Sequence, residues 1–292
     1  MLFLPKHLLS LICFLLSGEK GMEAKIIFLG TGGDSIVIGK QLRSSGGFIL
    51  QMGDVQFHVD PGPGALLRAR QEDVNLRENT ALFVSHAHLN HCNDVNAVIS
   101  AMTHAGLDKT GVLVGNKTVL EGSEEIKPYV TDFHKSCVER FISLEQNAKI
   151  GINDIDIKTL YAKHSDPDTL GFKFLTPDFT LSYSSDTEYS TELIEAYKNS
   201  DILILNIVNP SGIKQKGLLN SDDAVKIINK VKPTLAIIQH FGIKMLTVNP
   251  LTEAREIGKK TNVQTIAAKE GLVVNPLSYS AKAKQKTLNS FK

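Results

Sequence analysis

Three histidines lie within six positions of the segment VSHAHLNHCND, at His86, His88 and His91. In an extended chain the first two imidazoles face the same side, because side chains alternate with a period of two. His91 lies further along and can serve a second centre. Neutral imidazole is a preferred ligand of Zn²⁺, so the spacing H-x-H-x-x-H predicts metal binding by this segment.

Four more metal-capable side chains stand at the ends of predicted strands: Asp60, His164, Asp186 and His240. Because loops at strand ends converge into sites, we expect these side chains to meet the three histidines. Three other histidines, with different surroundings, are interpreted as structural or exposed: His58, His104 and His134. Cys92 has no partner that would stabilise a thiolate and is interpreted as helix packing.

The strands and helices that position these residues are predicted from the sequence pattern, in which short apolar runs alternate with segments of helical periodicity. Strands are predicted at 25–30, 47–53, 55–60, 81–85, 111–115, 155–162, 171–176, 179–185, 202–208, 234–240, 264–268 and 271–275. Helices are predicted at 63–71, 92–105, 188–199, 221–232 (with Ser221 as a candidate N-cap) and 251–261, and a helical cover at 116–141. No repeat and no flexible linker divides the chain. The pattern favours one α/β domain with two sheets covered by helices on both outer faces.

Composition limits the function classes. The chain has 292 residues, a formal net charge of +1 and three cysteines without a CxxC pair. No global field therefore attracts nucleic acid, and the cysteine usage fits a reducing compartment, so we expect a cytoplasmic protein. These features leave a globular enzyme or binding protein as the main classes.

The two ends are set apart from the predicted domain at 22–278. Residues 1–21 carry an apolar run too short for a bilayer span. An extension upstream of a start at Met22 is favoured over a membrane anchor or a cleaved signal. Residues 279–292 hold four lysines and no acid, which is typical of a solvated end rather than an RNA-binding tail.

Six motifs give the chain a family resemblance: LGTGG (29–33), VDPGPG (59–64), SHAHLNH (85–91), HSDPDTLGF (164–172), SSDTEY (184–189) and QHFG (239–242). In this order they resemble the metallo-β-lactamase superfamily of hydrolases, and within it the ribonuclease Z and PhnP-like phosphodiesterase branches. The resemblance covers about residues 24–275. It implies a four-layer αββα sandwich with a metal site at one edge, between the sheets.

The resemblance also implies ligands: His86, His88 and His164 for a first metal, His91 and His240 for a second, and Asp186 as the bridge. Asp60 would lie behind the ligands and fix imidazole orientation. One or two Zn²⁺ ions are expected, with Mn²⁺ or Fe as alternatives. A metal-bound hydroxide would attack the substrate, and Asp186, His240 and the residue at position 90 would be catalytic.

The sequence departs from the family motif H-x-H-x-D-H at Asn90. An amide is neutral, a poor ligand and not a base, so a weakened second metal site is expected. Its carbonyl oxygen could still serve as a weak ligand. A second departure is Leu218, in a segment where related hydrolases often place a histidine. Two accounts remain: a hydrolase with one firmly held metal, which the intact ligand set favours, or a catalytically degenerate protein that binds a metal or a phosphorylated ligand.

The substrate class follows less directly. Nothing resembles the long arm with which ribonuclease Z relatives hold tRNA, and no basic face is evident, so nucleic acid is possible but not favoured. We expect a small phosphodiester or a nucleotide-derived substrate. A lactone or thioester remains an alternative, because metals polarise those carbonyls too. Association into a homo-oligomer is also expected.

Overall fold

The computed structural model describes residues 23–281. The predicted leader 1–21 and residues 282–292 of the predicted tail lie outside the described residues, so both predictions stand untested. Across residues 23–281, no helix combines the length and the apolar content that a bilayer crossing requires.

The first sheet has seven strands in the spatial order β15-β1-β2-β3-β4-β5-β6. They are β1 (Ala24–Gly30), β2 (Ser45–Met52), β3 (Val55–Val59), β4 (Asn79–Val84), β5 (Val112–Gly115), β6 (Arg140–Ser143) and β15 (Val273–Val274). Antiparallel hairpins join β1, β2 and β3, and parallel pairs follow from β3 to β6. The parallel half directs the end of β4, and the histidines after it, to one edge of the sheet.

The second sheet has eight strands, with the order β14-β13-β11-β10-β9-β8-β7 and with β12 paired to β11. They are β7 (Lys149–Ile152), β8 (Ile155–Leu160), β9 (Gly171–Leu175), β10 (Thr180–Tyr183), β11 (Ile202–Asn209), β12 (Leu219–Asn220), β13 (Leu235–Gln239) and β14 (Gln264–Ala267). Every residue of β11 is buried, which explains its nearly unbroken apolar run.

Residues 23–281 form ten α-helices: α1 (Ser35–Gly39), α2 (Ala65–Gln71), α3 (Leu89–Cys92), α4 (Val95–Thr103), α5 (Lys117–Leu120), α6 (Asp132–Cys137), α7 (Thr191–Tyr197), α8 (Ser221–Val231), α9 (Ile243–Val248) and α10 (Pro250–Thr261). Helices α2 and α4 pack on the outer face of the first sheet, and α7, α8 and α10 on the outer face of the second.

Aromatic rings from both sheets fill the space between them. Phe83 of the first sheet contacts Phe172 and Phe174 of the second, with ring centroids 5.4 and 5.3 Å apart in edge-to-face geometry. Phe57 lies 5.8 Å from Phe174 by the same measure. The four layers αββα and the single-domain architecture expected from the sequence are confirmed.

Several local predictions were wrong. Segment 116–141 is not a continuous helical cover: it holds only the short helices α5 and α6, with loop between them, and it runs into β6. The N-cap of α8 is Asn220 rather than Ser221, because the Asn220 side chain accepts from the backbone N–H of Asp223. Strands β6, β7 and β12 and helices α1 and α9 were not predicted.

Candidate metal centre

The histidine segment changes conformation at His88, and this separates its three imidazoles. The chain is extended up to His88, the N-cap residue of α3 with φ −74° and ψ 141°. The single helical turn Leu89–Cys92 then turns His91 away from His88, and the backbone N–H of His91 donates to the His88 carbonyl at 2.9 Å. The ring centroid of His86 lies 4.7 Å from that of His88 and 4.1 Å from that of His91.

A first cluster of donor atoms comprises His86, His88, His164 and Asp186, whose ligand atoms all lie within 4.8 Å of one another. His88 Nδ1 is 3.1 Å from His164 Nε2. Asp186 Oδ2 is 3.8 Å from His164 Nε2 and 4.0 Å from His86 Nε2. A tetrahedral ion with ligands at about 2.1 Å would separate its donor atoms by about 3.4 Å, which is close to these spacings.

A second cluster comprises His91, Asp186 and His240. Asp186 Oδ2 lies 3.5 Å from His91 Nε2, and Asp186 Oδ1 lies 3.2 Å from His240 Nε2. Asp186 is therefore common to both clusters, and it is buried. Burial opposes ionisation of this carboxyl, yet His240 and His91 hold its pKa well below the usual range. The carboxylate is thus available as a charged ligand.

The hydrogen-bond network sets the tautomers of three imidazoles. Asp60 Oδ2 accepts from His91 Nδ1 at 2.8 Å, and the Gly217 carbonyl accepts from His164 Nδ1 at 2.7 Å. Ser85 Oγ donates to Asp60 Oδ2 at 2.8 Å, so it accepts from His86 Nδ1 at 2.9 Å. Each of these rings consequently directs Nε2 to the clusters.

Two of those nitrogens test whether the residues fit a metal. His86 Nε2 and His91 Nε2 are buried and have no hydrogen-bond partner within residues 23–281. Burying an unpartnered polar atom costs free energy, so such atoms call for an explanation. Burial and the neighbouring His91 lower the pKa of His86, which keeps its imidazole neutral. Burial acts against protonation of His91 too, but Asp186 and Asp60 raise its pKa overall, so a metal would have to displace a proton there. Neutral imidazoles and a carboxylate suit Zn²⁺.

Asp60 supports the second cluster from behind. Besides His91, its carboxylate accepts from the Ser85 backbone N–H at 2.7 Å and from Tyr183 Oη at 2.7 Å. Asp60 adopts φ +54°, and His240 adopts φ +66°. Non-glycine residues in this region cost about 1–2 kcal/mol each, so the surrounding contacts must hold them there.

Sequence reasoning missed the polar network that links Asp60 to Asp186. Asn206 Nδ2 donates to Asp186 Oδ1 at 2.8 Å and to Tyr183 Oη at 3.2 Å. Gln239 Nε2 in turn donates to Asn206 Oδ1 at 3.0 Å. Asn206 and Gln239 are register partners on β11 and β13. The amide of Asn206, within the apolar run of β11, and that of Gln239, at the end of the apolar β13, were the signal that could have identified them.

Two glycines permit the close approach of site loops. Gly217 has φ +77°, and a Cβ there would lie 3.0 Å from His164 Nδ1. Segment 216–220, where Leu218 replaces the expected histidine, therefore supports His164 through a backbone carbonyl. A Cβ on Gly33 would lie 2.1 Å from the His240 carbonyl oxygen, so the motif LGTGG packs its backbone directly against that of His240.

The amide of Asn90 adjoins the second cluster. Its Nδ2 lies 3.1 Å from His240 Nε2. Beside the first cluster, His88 lines a cavity of about 460 Å³ together with four acidic residues: Glu124, Glu125, Asp166 and Asp168. Asp166 also holds the histidine segment, because its Oδ2 accepts from the Ala87 backbone N–H at 3.1 Å.

The other three histidines that the structure describes lie outside the two clusters, and Cys92 contributes no donor atom to them, although its Sγ donates to the His88 carbonyl at 3.1 Å. His58 is fully buried, with Nε2 2.8 Å from the Gly46 carbonyl oxygen. His104 is exposed beside Asp108, and His134 contacts the hydroxyls of two neighbouring residues. Cys92 is buried in the core cluster between the first sheet and its helices, and burial raises the pKa of its thiol. These side chains are structural or exposed, as the sequence predicted.

Comparisons with known proteins agree with this geometry. A family model described as the β-lactamase superfamily domain matches residues 56–241. Uncharacterized protein MJ1374 of Methanocaldococcus jannaschii is 37% identical over 259 residues, covering 88% of this chain and 97% of that protein. The metallo-β-lactamase fold protein YhfI from Bacillus subtilis has a TM-score of 0.71 at 18% identity, covering 87% of this chain and 99% of YhfI. A diphosphatase from the PhnP family has a TM-score of 0.65 at 18% identity, covering 87% and 97%. At such identities the two solved structures establish the shared fold alone.

Proposed function

The chain belongs to the β-lactamase superfamily, and we propose that it is a metal-dependent hydrolase acting on a small phosphodiester. The metallo-β-lactamase resemblance is confirmed, and members of this superfamily are metal-dependent hydrolases. One observation carries the proposal for this chain: two donor clusters share Asp186, and two buried imidazole nitrogens in them have no hydrogen-bond partner among the described residues.

The side chains divide the work. His86, His88 and His164 would hold one ion, His91 and His240 a second, with Asp186 bridging both. Bound there, divalent ions would lower the pKa of water and polarise an oxygen of the substrate. Asp60 and the Gly217 carbonyl keep the imidazoles of His91 and His164 oriented, and the His240 ring, which contacts the Asn90 amide, would help to stabilise the developing charge on the substrate.

The second site is proposed to be the weaker one. Its cluster offers three donors against four in the first. Asn90 adds no charge, so Asp186 is the one carboxylate among the proposed ligands, although two dications would carry four positive charges. We therefore expect metal content between one and two equivalents, nearer one, with Zn²⁺ favoured and Mn²⁺ or Fe as alternatives.

Charge balance favours a phosphodiester over a lactone or thioester. A phosphodiester brings a negative charge that compensates for the carboxylate missing at position 90, whereas a neutral ester brings none. The carboxylates of Glu124 and Glu125 beside His88 would repel a polyanion. This arrangement supports a small diester, including a nucleotide-derived one, rather than a long nucleic acid.

The proposal is tested by measuring metal binding and phosphodiester hydrolysis in the same set of variants. Asn90→Asp should raise second-site metal affinity at least about tenfold and increase the hydrolysis rate of bis-p-nitrophenyl phosphate. His86→Ala with His88→Ala should abolish both metal binding and turnover. His104→Asn is the control, because it removes an exposed histidine at a position where asparagine tolerates the positive φ.

The outcomes separate the two accounts. Metal binding with background hydrolysis in both the wild type and Asn90→Asp would mean a catalytically degenerate metal- or ligand-binding protein. Absence of metal after reconstitution would contradict the proposed centre itself. Hydrolysis of a lactone or thioester panel, but of no phosphodiester, would leave the metal centre intact and contradict the substrate class.

A further inference from the structure

Three lysines form a row on the outer face of the second sheet. Lys149, Lys158 and Lys173 are direct register partners across β7, β8 and β9, so their side chains leave the same face. Like charges opposite one another on neighbouring strands destabilise a sheet. Lys149 pairs with Asp156 at 2.8 Å. Among the described residues, Lys158 and Lys173 have no carboxylate partner.

Lys158 and Lys173 line a cavity of about 380 Å³ between the sheet and the end of α7. Lys173 is 8% exposed, and its ammonium group donates to the carbonyls of Ala196, at 3.2 Å, and Lys198. An ammonium has three donors, so one N–H of Lys173 remains for the cavity. Burial and the nearby Lys158 lower the pKa of Lys173, as expected for a cation without a counterion.

The remaining lining indicates what the cavity would take. Lys198 also lines it, and its Nζ lies 2.7 Å from Glu195, the one acidic residue among the described residues of the lining. Leu160 and Leu175 provide apolar surface. The excess of positive charge calls for an anion. Two ammonium groups on neighbouring strands, with Cβ atoms about 5 Å apart, suit a group with several charged oxygens better than a single carboxylate.

We propose that this cavity binds a phosphate-bearing small molecule, with the phosphate held between Lys158 and Lys173. The site is separate from the candidate metal centre, since none of that centre's donor residues lines it. The proposal does not depend on the hydrolase function. The bound phosphate would neutralise the repulsion within the lysine row, so binding and stability should be linked.

Calorimetric titration of the full chain with inorganic phosphate and with pyrophosphate tests the site. The titrations are run with metals present and after chelation, because phosphate at a metal would disappear on chelation. We expect binding to one site that survives chelation and that Lys158→Gln weakens by about tenfold or more. Lys25→Gln is the control, since it removes the same charge from an ion-paired lysine on the other sheet.

Thermal unfolding provides a second test, in which Lys158→Gln should stabilise the phosphate-free protein although it weakens phosphate binding. Lys158→Gln should raise the Tm of the phosphate-free protein, because it relieves repulsion, and should remove the stabilisation by added phosphate. Binding that vanishes on chelation would overturn the proposal, as would equal phosphate affinity in the wild type and Lys158→Gln. A pyrophosphate affinity above that of phosphate would indicate a diphosphate ligand for the same site.

Discussion

Replacing each of two buried tyrosines, Tyr183 and Tyr197, by phenylalanine distinguishes the contribution of the polar network to stability from that of core packing. Tyr183 Oη donates to Asp60 and accepts from Asn206, at 2.7 and 3.2 Å. Its ring packs edge-to-face on Phe48 with centroids 5.2 Å apart, a contact that Tyr183→Phe keeps. Tyr197 is equally buried, but its hydroxyl has no hydrogen-bond partner in the part of the chain that the structure describes. The same substitution thus removes two hydrogen bonds at one position and none at the other.

The two variants should differ in sign or in size. A hydrogen bond to a charged group contributes about 1.5–3 kcal/mol, so Tyr183→Phe should lower the free energy of unfolding by about 2 kcal/mol. Tyr197→Phe removes an unsatisfied buried hydroxyl and should be neutral or stabilising. Because Asp60 orients His91, Tyr183→Phe should also weaken metal binding at the second cluster by about tenfold, with the first cluster little changed.

Urea denaturation gives the stabilities, and Co²⁺ titration followed by absorption gives the metal affinities. Equal stability changes in the two variants would show that the Tyr183 hydrogen bonds contribute nothing measurable. Unchanged second-site affinity in Tyr183→Phe, alongside the expected loss of stability, would show that Asp60 holds His91 without the help of Tyr183.

Two further predictions rest on single positions. Gly217→Ala should lower the free energy of unfolding by about 1–2 kcal/mol, because residue 217 has a positive φ, and it should also weaken metal binding by displacing His164. Gly212→Ala is the control: Gly212 has φ +80° too, but its Cβ would lie in open space, so this variant should lose stability alone. Denaturation measures the stability, and metal titration measures the metal affinity. For His58, burial lowers the pKa from 6.5 to about 4, so the folded state binds fewer protons than the unfolded state. Its stabilising contribution is complete above pH 6.5, and about 3 kcal/mol is lost as the pH falls towards 4. His58→Gln should flatten this part of the stability profile between about pH 7 and about pH 4.5, and an unchanged slope would assign the acid sensitivity to other groups.

The sequence predicted the strands and helices in which the pattern of apolar residues matches the pattern of buried residues. Strand β11 is apolar along almost its whole length, and the alternation in β8 matches its buried and exposed residues. Strand β6 has mostly exposed side chains, and it is a strand because it pairs with β5. When a segment forms a strand because a neighbouring strand pairs with it, its own sequence carries little signal for a strand.

The candidate site shows the same division. Histidines and aspartates at strand ends could be identified as a set, because several metal-capable side chains recur at the ends of predicted strands, whereas a single one would have been a weak signal. The role of Tyr183 could not be identified, since it depends on Asp60 and Asn206, two partners that only the packing of three strands brings to its hydroxyl. The contact of Gly33 with His240 joins positions about two hundred residues apart, and a local pattern carries no information on such pairs.

Each donor cluster draws on both sheets. His86, His88 and His91 follow a strand of the first sheet, whereas Asp186 and His240 follow strands of the second. A cation at either cluster would therefore crosslink the two halves of the sandwich at one edge, in addition to the apolar contacts between them. Loading with metal should then slow amide hydrogen exchange in the loops of both halves together, since neither half can move away from that edge while the crosslink holds.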